Sequence, residues 1–284
     1  MPIRLTRALP SASLLSRSLG ALLAAAALAG APGCSSTDPA TKLARELLTM
    51  PKEEVYARGD SLLAKKKWEQ GRQFLRFVAE NYANDPIGKQ AALRLADSYY
   101  EEGGALGYVE AHARYKDFRS RYPSHPKADY ALFRMAQCSD RQAESPDRDQ
   151  TNTRLATAAY REILQAYPGS PYIPEAQARY AAMRVLLAEH EYKVAKYYLK
   201  RKAFAAARGR YDVILAVFPE YPKMDVVLYE GGLAEYKLAN QEAALERWGR
   251  LAREFPTSLF LKKLPKAATA ALKSPAPGAP IPAS

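Results

Sequence analysis

The sequence predicts an all-α solenoid of about five helical hairpins, and three observations carry that prediction. Five stretches share one spacing of side chains, and four of them close on a proline. In each, a small residue stands four positions before an aromatic residue or leucine, a step that keeps both on one helical face.

The last stretch is the most complete. Leu228, Gly231, Gly232, Tyr236, Leu238, Ala244, Trp248, Leu251 and Pro256 follow the tetratricopeptide pattern without a gap, with Lys237-Leu238-Ala239-Asn240 as the turn between two helices. Its second helix gives a signature at steps of 3, 4, 3 and 5: Gln241, Ala244, Trp248, Leu251, Pro256. Four earlier stretches repeat it: Trp68, Gly71, Leu75, Val78, Ala83; Tyr108, Ala111, Tyr115, Phe118, Pro123; Thr153, Ala156, Tyr160, Ile163, Pro168; and Phe204, Ala207, Tyr211, Ile214, Pro219. A lone amphipathic helix explains any one of these, but not five in register. The small residue lets two helices approach, the aromatic fills the space between them, and proline ends the second helix.

Taken in chain order, residues 1–33 read as an export signal. Arg4, Arg7 and Arg17 precede an apolar alanine- and leucine-rich run of about a dozen residues, which is shorter than the roughly 20 that span a bilayer. Ala31-Pro32-Gly33-Cys34 is similar to the cleavage box of bacterial lipoproteins, although leucine stands at Leu28, displaced upstream. Cleavage there makes Cys34 the lipid-attachment residue, with residues 34–50 as a lipidated tether. An ordinary secretory signal, leaving Cys34 a free thiol, is the alternative.

Residues 51–128 hold repeats 1 and 2 and residues 129–263 hold repeats 3 to 5. First-helix partners include Val55, Gly59 and Leu62; Leu93, Ala96, Tyr99 and Tyr100; Ala131, Phe133 and Met135; and Val194, Tyr197 and Tyr198. The polar stretch 139–153 is longer than an inter-helix turn needs and reads as an inserted loop. Residues 172–200 exceed one repeat helix, so an extra or extended helix is expected after Pro171 or Pro174. Residues 264–284, rich in proline and alanine, are expected to form a disordered tail.

The composition, 48% apolar and 25% charged, is that of a folded protein. Loss of the three signal arginines leaves +9 of a formal charge of +12, which favours anionic partners. In an exported chain, lipid headgroups and acidic proteins come before nucleic acid. The basic runs Lys65-Lys66-Lys67 and Lys196, Lys200, Arg201, Lys202 read first as solvated helix ends, with anionic headgroups as the sharper alternative. Two cysteines, one of them Cys34, leave Cys138 single and exclude a disulfide scaffold.

Nothing in the sequence assembles a catalytic constellation. His112, His125 and His190 have no metal-ligand spacing, and there is no phosphate-binding glycine loop, nucleophile elbow or Cys-x-x-Cys pair. The expectation is a binding scaffold with no catalytic residue, metal or cofactor. Most of the 19 tyrosines read as core residues of the repeat.

Several segments go beyond the generic repeat: Ser124-His125-Pro126 with Asp129-Tyr130-Ala131; Asp147-Arg148-Asp149 with Arg154; Tyr167-Pro168-Gly169-Ser170-Pro171-Tyr172; and Leu187-Ala188-Glu189-His190-Glu191-Tyr192 followed by Val194-Ala195, Tyr197-Tyr198, Ala207 and Arg210. On these the chain, from about Pro51 to Pro256, resembles the BamD family, lipoprotein subunits of the outer-membrane β-barrel assembly machinery. The resemblance implies a periplasm-facing, outer-membrane-anchored scaffold that helps barrel precursors fold. It implies N-terminal repeats that take unfolded outer-membrane protein segments, and C-terminal repeats that bind the periplasmic domains of the core barrel subunit. Arg210 matches a family arginine that pairs with an acid of that subunit, and Tyr192 and Tyr197 are the other candidate partner contacts. Arg58, Leu62, Arg94 and Tyr99 are candidates to line a substrate groove. The degenerate lipid box, the compact loop around Asp147 and the proline-rich tail depart from the family pattern. The rival readings are another periplasmic repeat adaptor, such as a cell-division or peptidoglycan coordinator or a secretin pilotin, and a solenoid-type peptidoglycan hydrolase.

Overall fold

A computed structural model describes residues 39–273; the expected signal, Cys34 and the residues after 273 lie outside it. The chain divides into two compact units, Met1–Ala44 and Arg45–Ser284, and all the hairpins belong to the second. After α1 (Pro39–Thr49), ten helices form five hairpins: α2 (Lys52–Ala64) with α3 (Trp68–Asn81), α4 (Pro86–Glu102) with α5 (Gly104–Arg121), α6 (Ala128–Asp140) with α7 (Thr151–Ala166), α8 (Ile173–Lys200) with α9 (Phe204–Val217), and α10 (Met224–Lys237) with α11 (Gln241–Glu254). A 3-10 turn, Leu259–Lys263, and α12, Lys266–Lys273, follow. Each helix packs mainly on its neighbours in the chain, as a one-dimensional stack requires.

The proline of the signature determines how the second helices end. Tyr122, Tyr167, Phe218 and Phe255 each stand before a proline, whose ring drives the preceding residue out of helical geometry. All four adopt nearly one conformation, φ from −127 to −133° and ψ from 57 to 62°. Each N–H still reaches the carbonyl four residues back, at Phe118, Ile163, Ile214 and Leu251. Tyr82, followed by Ala83, differs, with ψ of 33°.

Turns inside the hairpins use a different device, a residue of positive φ. It is Lys66 (57°), Lys202 (61°) and Ala239 (65°) in hairpins 1, 4 and 5, and Gly103 and Gly104 (75° and 73°) in hairpin 2.

The signature residues form the core. Ala111, Ala156, Ala207 and Ala244 are fully buried against Tyr115, Tyr160, Tyr211 and Trp248, which are themselves fully buried. Burying each such side chain stabilises the fold by roughly 1.5–3 kcal/mol. The polar tip of each ring finds an acceptor on a first helix, as buried phenols and indoles require. Tyr115 donates to Asp97, Tyr160 to Asp140, Tyr211 to Glu230, and Trp248 Nε1 to the Tyr229 carbonyl. Gly232 makes the last packing possible, since a Cβ there would lie 2.4 Å from Trp248 Nε1.

Three expectations change and one, the long fourth unit, is sharpened. The tether 34–50 is helical over Pro39–Thr49. The tail expected from residue 264 includes α12, because Pro265 stands just before the helix, the other prolines come only after 274, and Lys266–Lys273 is rich in the strong helix formers alanine, leucine and lysine. Ala268 of α12 is buried beside Trp248, with Leu264 and Leu272 against the same cluster. The long fourth unit is one continuous helix, α8, which starts with Pro174 in its first turn, where a missing N–H costs nothing. The stretch expected as an inserted loop shortens to residues 141–150 between α6 and α7. Gln150, buried in it, donates to the Ser145 and Arg148 carbonyls.

Candidate functional site

The first helices of hairpins 1 to 3 border a polar cleft of about 400 Å³, lined by Tyr56 of α2, Gln90, Leu93, Arg94 and Asp97 of α4, and His125 and Lys127 just before α6. Gln90, Arg94 and Asp97 share one face of α4 at steps of 4 and 3. That face is not the one carrying the buried Ala91, Leu95 and Ser98.

Ion pairs and hydrogen bonds fix the polar side chains of the cleft. Arg94 donates from Nε to Asp60 (2.6 Å) and from Nη1 to Glu101 (2.9 Å). Asp97 Oδ1 accepts from Tyr115 (2.5 Å) and Tyr130 (2.8 Å), and Tyr130 in turn accepts from Arg134 Nε at 2.9 Å. Burial, reinforced by the Asp97 carboxylate, pushes the Tyr130 phenol up to about 12 and Tyr115 further still. Both phenols therefore stay protonated donors at neutral pH. The His125 ring stands edge-on to Phe118, centroids 5.1 Å apart, and its Nδ1 accepts from the Lys127 N–H. Burial, then Lys89 and Lys127, hold its pKa below the ordinary imidazole value, which leaves a neutral ring. Such a surface offers hydrogen-bond donors and acceptors to an extended chain.

A second polar cleft of about 400 Å³ lies at α6, α7 and α8, with Gln137, Asp140, Tyr160, Glu175 and Arg179 on its walls. Asp140 accepts from Arg179 Nε (2.6 Å) and Tyr160 (2.9 Å).

Of the four residues expected to line a substrate groove, the structure places Arg94 in the cleft and the others elsewhere. Arg58 pairs with Glu46 at 3.1 Å and lies over the Phe74 ring. Leu62 is half-buried in the last turn of α2, outside the cleft lining. The Tyr99 ring faces α3 and α5, between the guanidinium groups of Arg72 (3.7 Å) and Arg114 (5.9 Å). Tyr56, Gln90, Asp97, His125 and Lys127 were missed. Of these, Gln90 and Asp97 stand at helical spacing from Arg94 on α4, whereas Tyr56, His125 and Lys127 come from other elements, a grouping that no single segment records.

Hairpin 4 carries the candidate partner contacts. Arg210 on α9 donates from Nη1 to Glu191 of α8 at 2.8 Å and stays partly exposed. Tyr197 is 55% exposed, with Arg201 over its ring at 5.4 Å. Tyr192 is corrected: it is only 7% exposed and packs in the core against Tyr221, ring centroids 6.3 Å apart, so it supports the surface from beneath.

The rest of the Leu187-to-Tyr192 segment is tied inside the chain. Glu189 accepts from Lys223 (2.8 Å) and from Tyr221. Burial pushes its carboxyl up, and these hydrogen bonds outweigh burial to hold it below the usual carboxylate value. His190 Nδ1 lies 2.7 Å from the Pro146 carbonyl. Because a carbonyl only accepts, that nitrogen carries the proton. With Lys193 on Asp147 at 3.2 Å, it fastens the 141–150 loop to α8. Among the described residues no group of three His, Cys, Asp or Glu side chains is placed to hold a metal ion, and no helix is long and apolar enough to cross a membrane.

Residues 48–247 match the outer membrane lipoprotein family YfiO. The outer membrane protein assembly factor BamD of Neisseria gonorrhoeae is 28% identical over 261 residues, covering 87% of this chain and 92% of its own length. The protein of the same name from Vibrio cholerae is 29% identical over 201 residues, 66% of this chain and 78% of its own. Among solved structures, the TPR2AB-domain:pHSP90 complex of yeast Sti1 overlaps 78% of this chain and 84% of its own at 12% identity and a TM-score of 0.38.

Proposed function

This chain belongs to the outer membrane lipoprotein family YfiO, and from that premise we propose that it is a non-catalytic scaffold of outer-membrane β-barrel assembly. The observation that carries the reading is the extent of the family match, which runs from the end of α1 into α11 and so takes in the first four hairpins and, of the fifth, α10 and the first half of α11. The relatives that share it are outer membrane protein assembly factors.

On this reading Cys34 carries acyl chains that hold the protein at the outer membrane, facing the periplasm. Each buried methylene contributes about 0.8 kcal/mol, so several chains make the attachment durable. The cleft around Arg94 and Asp97 takes extended segments of unfolded outer-membrane proteins. Arg210 and Tyr197 meet the periplasmic domains of the core barrel subunit. An arginine fork suits a bidentate carboxylate contact, and Arg210, partly exposed, is bound to Glu191 through Nη1.

Arg210→Glu tests the interface. It sets two carboxylates side by side, and the expected result is loss of co-purification with the core barrel subunit while the helical content stays unchanged; intact co-purification by a folded variant rejects the assignment. Depletion in the native host tests the function itself. Loss of many barrel proteins with accumulated precursors supports it, whereas intact barrels with a division or pilus defect overturn it.

A further inference from the structure

The turns inside hairpins 1 and 2 lie side by side at one edge of the molecule, which combines unpaired positive charge with exposed apolar side chains. Lys65, Lys66 and Lys67 are all exposed, and none has an ion pair among the described residues. Trp68 follows them at the start of α3. It is half-buried, and its indole N–H has no hydrogen-bond partner among the described residues. The turn of the next hairpin lies beside it, because Arg72 of α3 stacks on Tyr99 and pairs with Glu102 at the end of α4. Just past that turn, Leu106 is 75% and Val109 53% exposed. They lie one helical step apart on α5, on the side away from the buried Gly107 and Ala111.

The acids nearby do not cancel the lysines. Glu101 is taken by Arg94 and Glu102 by Arg72. Glu69 and Glu110 stand outside ion pairs among the described residues, and three lysines still outnumber these two acids.

We propose that this edge is a membrane-docking surface for phospholipid with anionic headgroups. Lysines beside tryptophan and leucine, projecting from the ends of helices, are the chemistry of a protein that rests on a lipid surface: charge attracts the headgroups while the apolar side chains enter the acyl boundary. An aromatic with an unused N–H suits the interface, where one end of the ring is apolar and the other wet. An acyl anchor holds a chain near the bilayer without orienting it. The Lys65-to-Trp68 edge supplies the orientation and turns the first two hairpins toward the membrane.

The two tryptophans make the test direct. Trp248 is fully buried and Trp68 is not, so lipids brominated in the acyl chain quench only Trp68. The full, acylated protein is reconstituted into brominated phosphatidylcholine vesicles with or without phosphatidylglycerol, and its fluorescence is compared. The expected result is quenching that depends on phosphatidylglycerol and is abolished when Lys65→Gln, Lys66→Gln and Lys67→Gln are combined. At about fivefold per lysine, the docked population shifts on the order of 100-fold. Replacing the three lysines by arginine restores quenching. Leu106→Gln, at a position too exposed to disturb folding, weakens it with the charge unchanged. Absence of Trp68 quenching in both vesicles, or equal quenching in both and in the lysine-to-glutamine variant, overturns the proposal.

Discussion

Cys138 shows what surroundings do to a reactive side chain. It is fully buried on α6, and burial pushes its thiol up to about 12. Because only the thiolate is nucleophilic, Cys138 is expected to resist a thiol reagent at neutral pH and to react when the chain is unfolded. Reaction kinetics with and without denaturant check this, and fast labelling of the folded protein would contradict it. The sequence marked Cys138 as single but was silent on its burial. Tyr99, Tyr192 and Arg94 carry the same lesson. Spacing along a helix tells which residues share a face, but not which neighbouring helix covers that face. Arg94 therefore falls in the cleft, while Tyr99 is sandwiched between two arginines and Tyr192 is covered by α10 and the turn before it.

At the scale of the element, the ends of the second helices were legible because proline acts on its immediate neighbour, and local rules survive without knowledge of the fold. The turns inside the hairpins were legible only in part. Lys237-Leu238-Ala239-Asn240 was read as a turn, yet nothing in it announces that Ala239 takes a φ of 65°. That geometry costs a residue with a Cβ about 1–2 kcal/mol, partly offset in any glycine replacement by about 0.5–1 kcal/mol of lost chain entropy. Ala239→Gly is therefore expected to stabilise the protein by roughly 0.5–1 kcal/mol, seen as a higher midpoint in thermal denaturation. A lower midpoint would mean that the strain is absorbed elsewhere in the turn. The helix over Lys266–Lys273 escaped notice because a short alanine-rich stretch carries little periodic signal, and its place is decided by contact with Trp248.

At the scale of the whole molecule, the count of five hairpins was available from the signature because a solenoid repeats its packing with its sequence. The clefts were not, since they arise between repeats, where no single segment records them. Nearest-neighbour packing also predicts how damage spreads. Trp248→Ala removes the largest buried side chain of hairpin 5, a change that costs about 3–5 kcal/mol in a packed core. Because contacts run between neighbours, the loss is expected to stay local. Amide exchange should accelerate in α10 to α12 and remain slow in α2 to α5; uniform acceleration would show a single cooperative unit instead.

Helix α8 is shared between two hairpins, packing on α7 toward one end and α9 toward the other. Its 28 residues span about 42 Å, with no proline or glycine after the first turn to bend it. Arg179 grips α6 through Asp140, and Glu191, about 18 Å further along, grips α9 through Arg210. In mechanical terms α8 is a splint: a push on the Arg210 face reaches the Asp140 cleft as the tilt of a rigid rod, undiminished by any hinge between them.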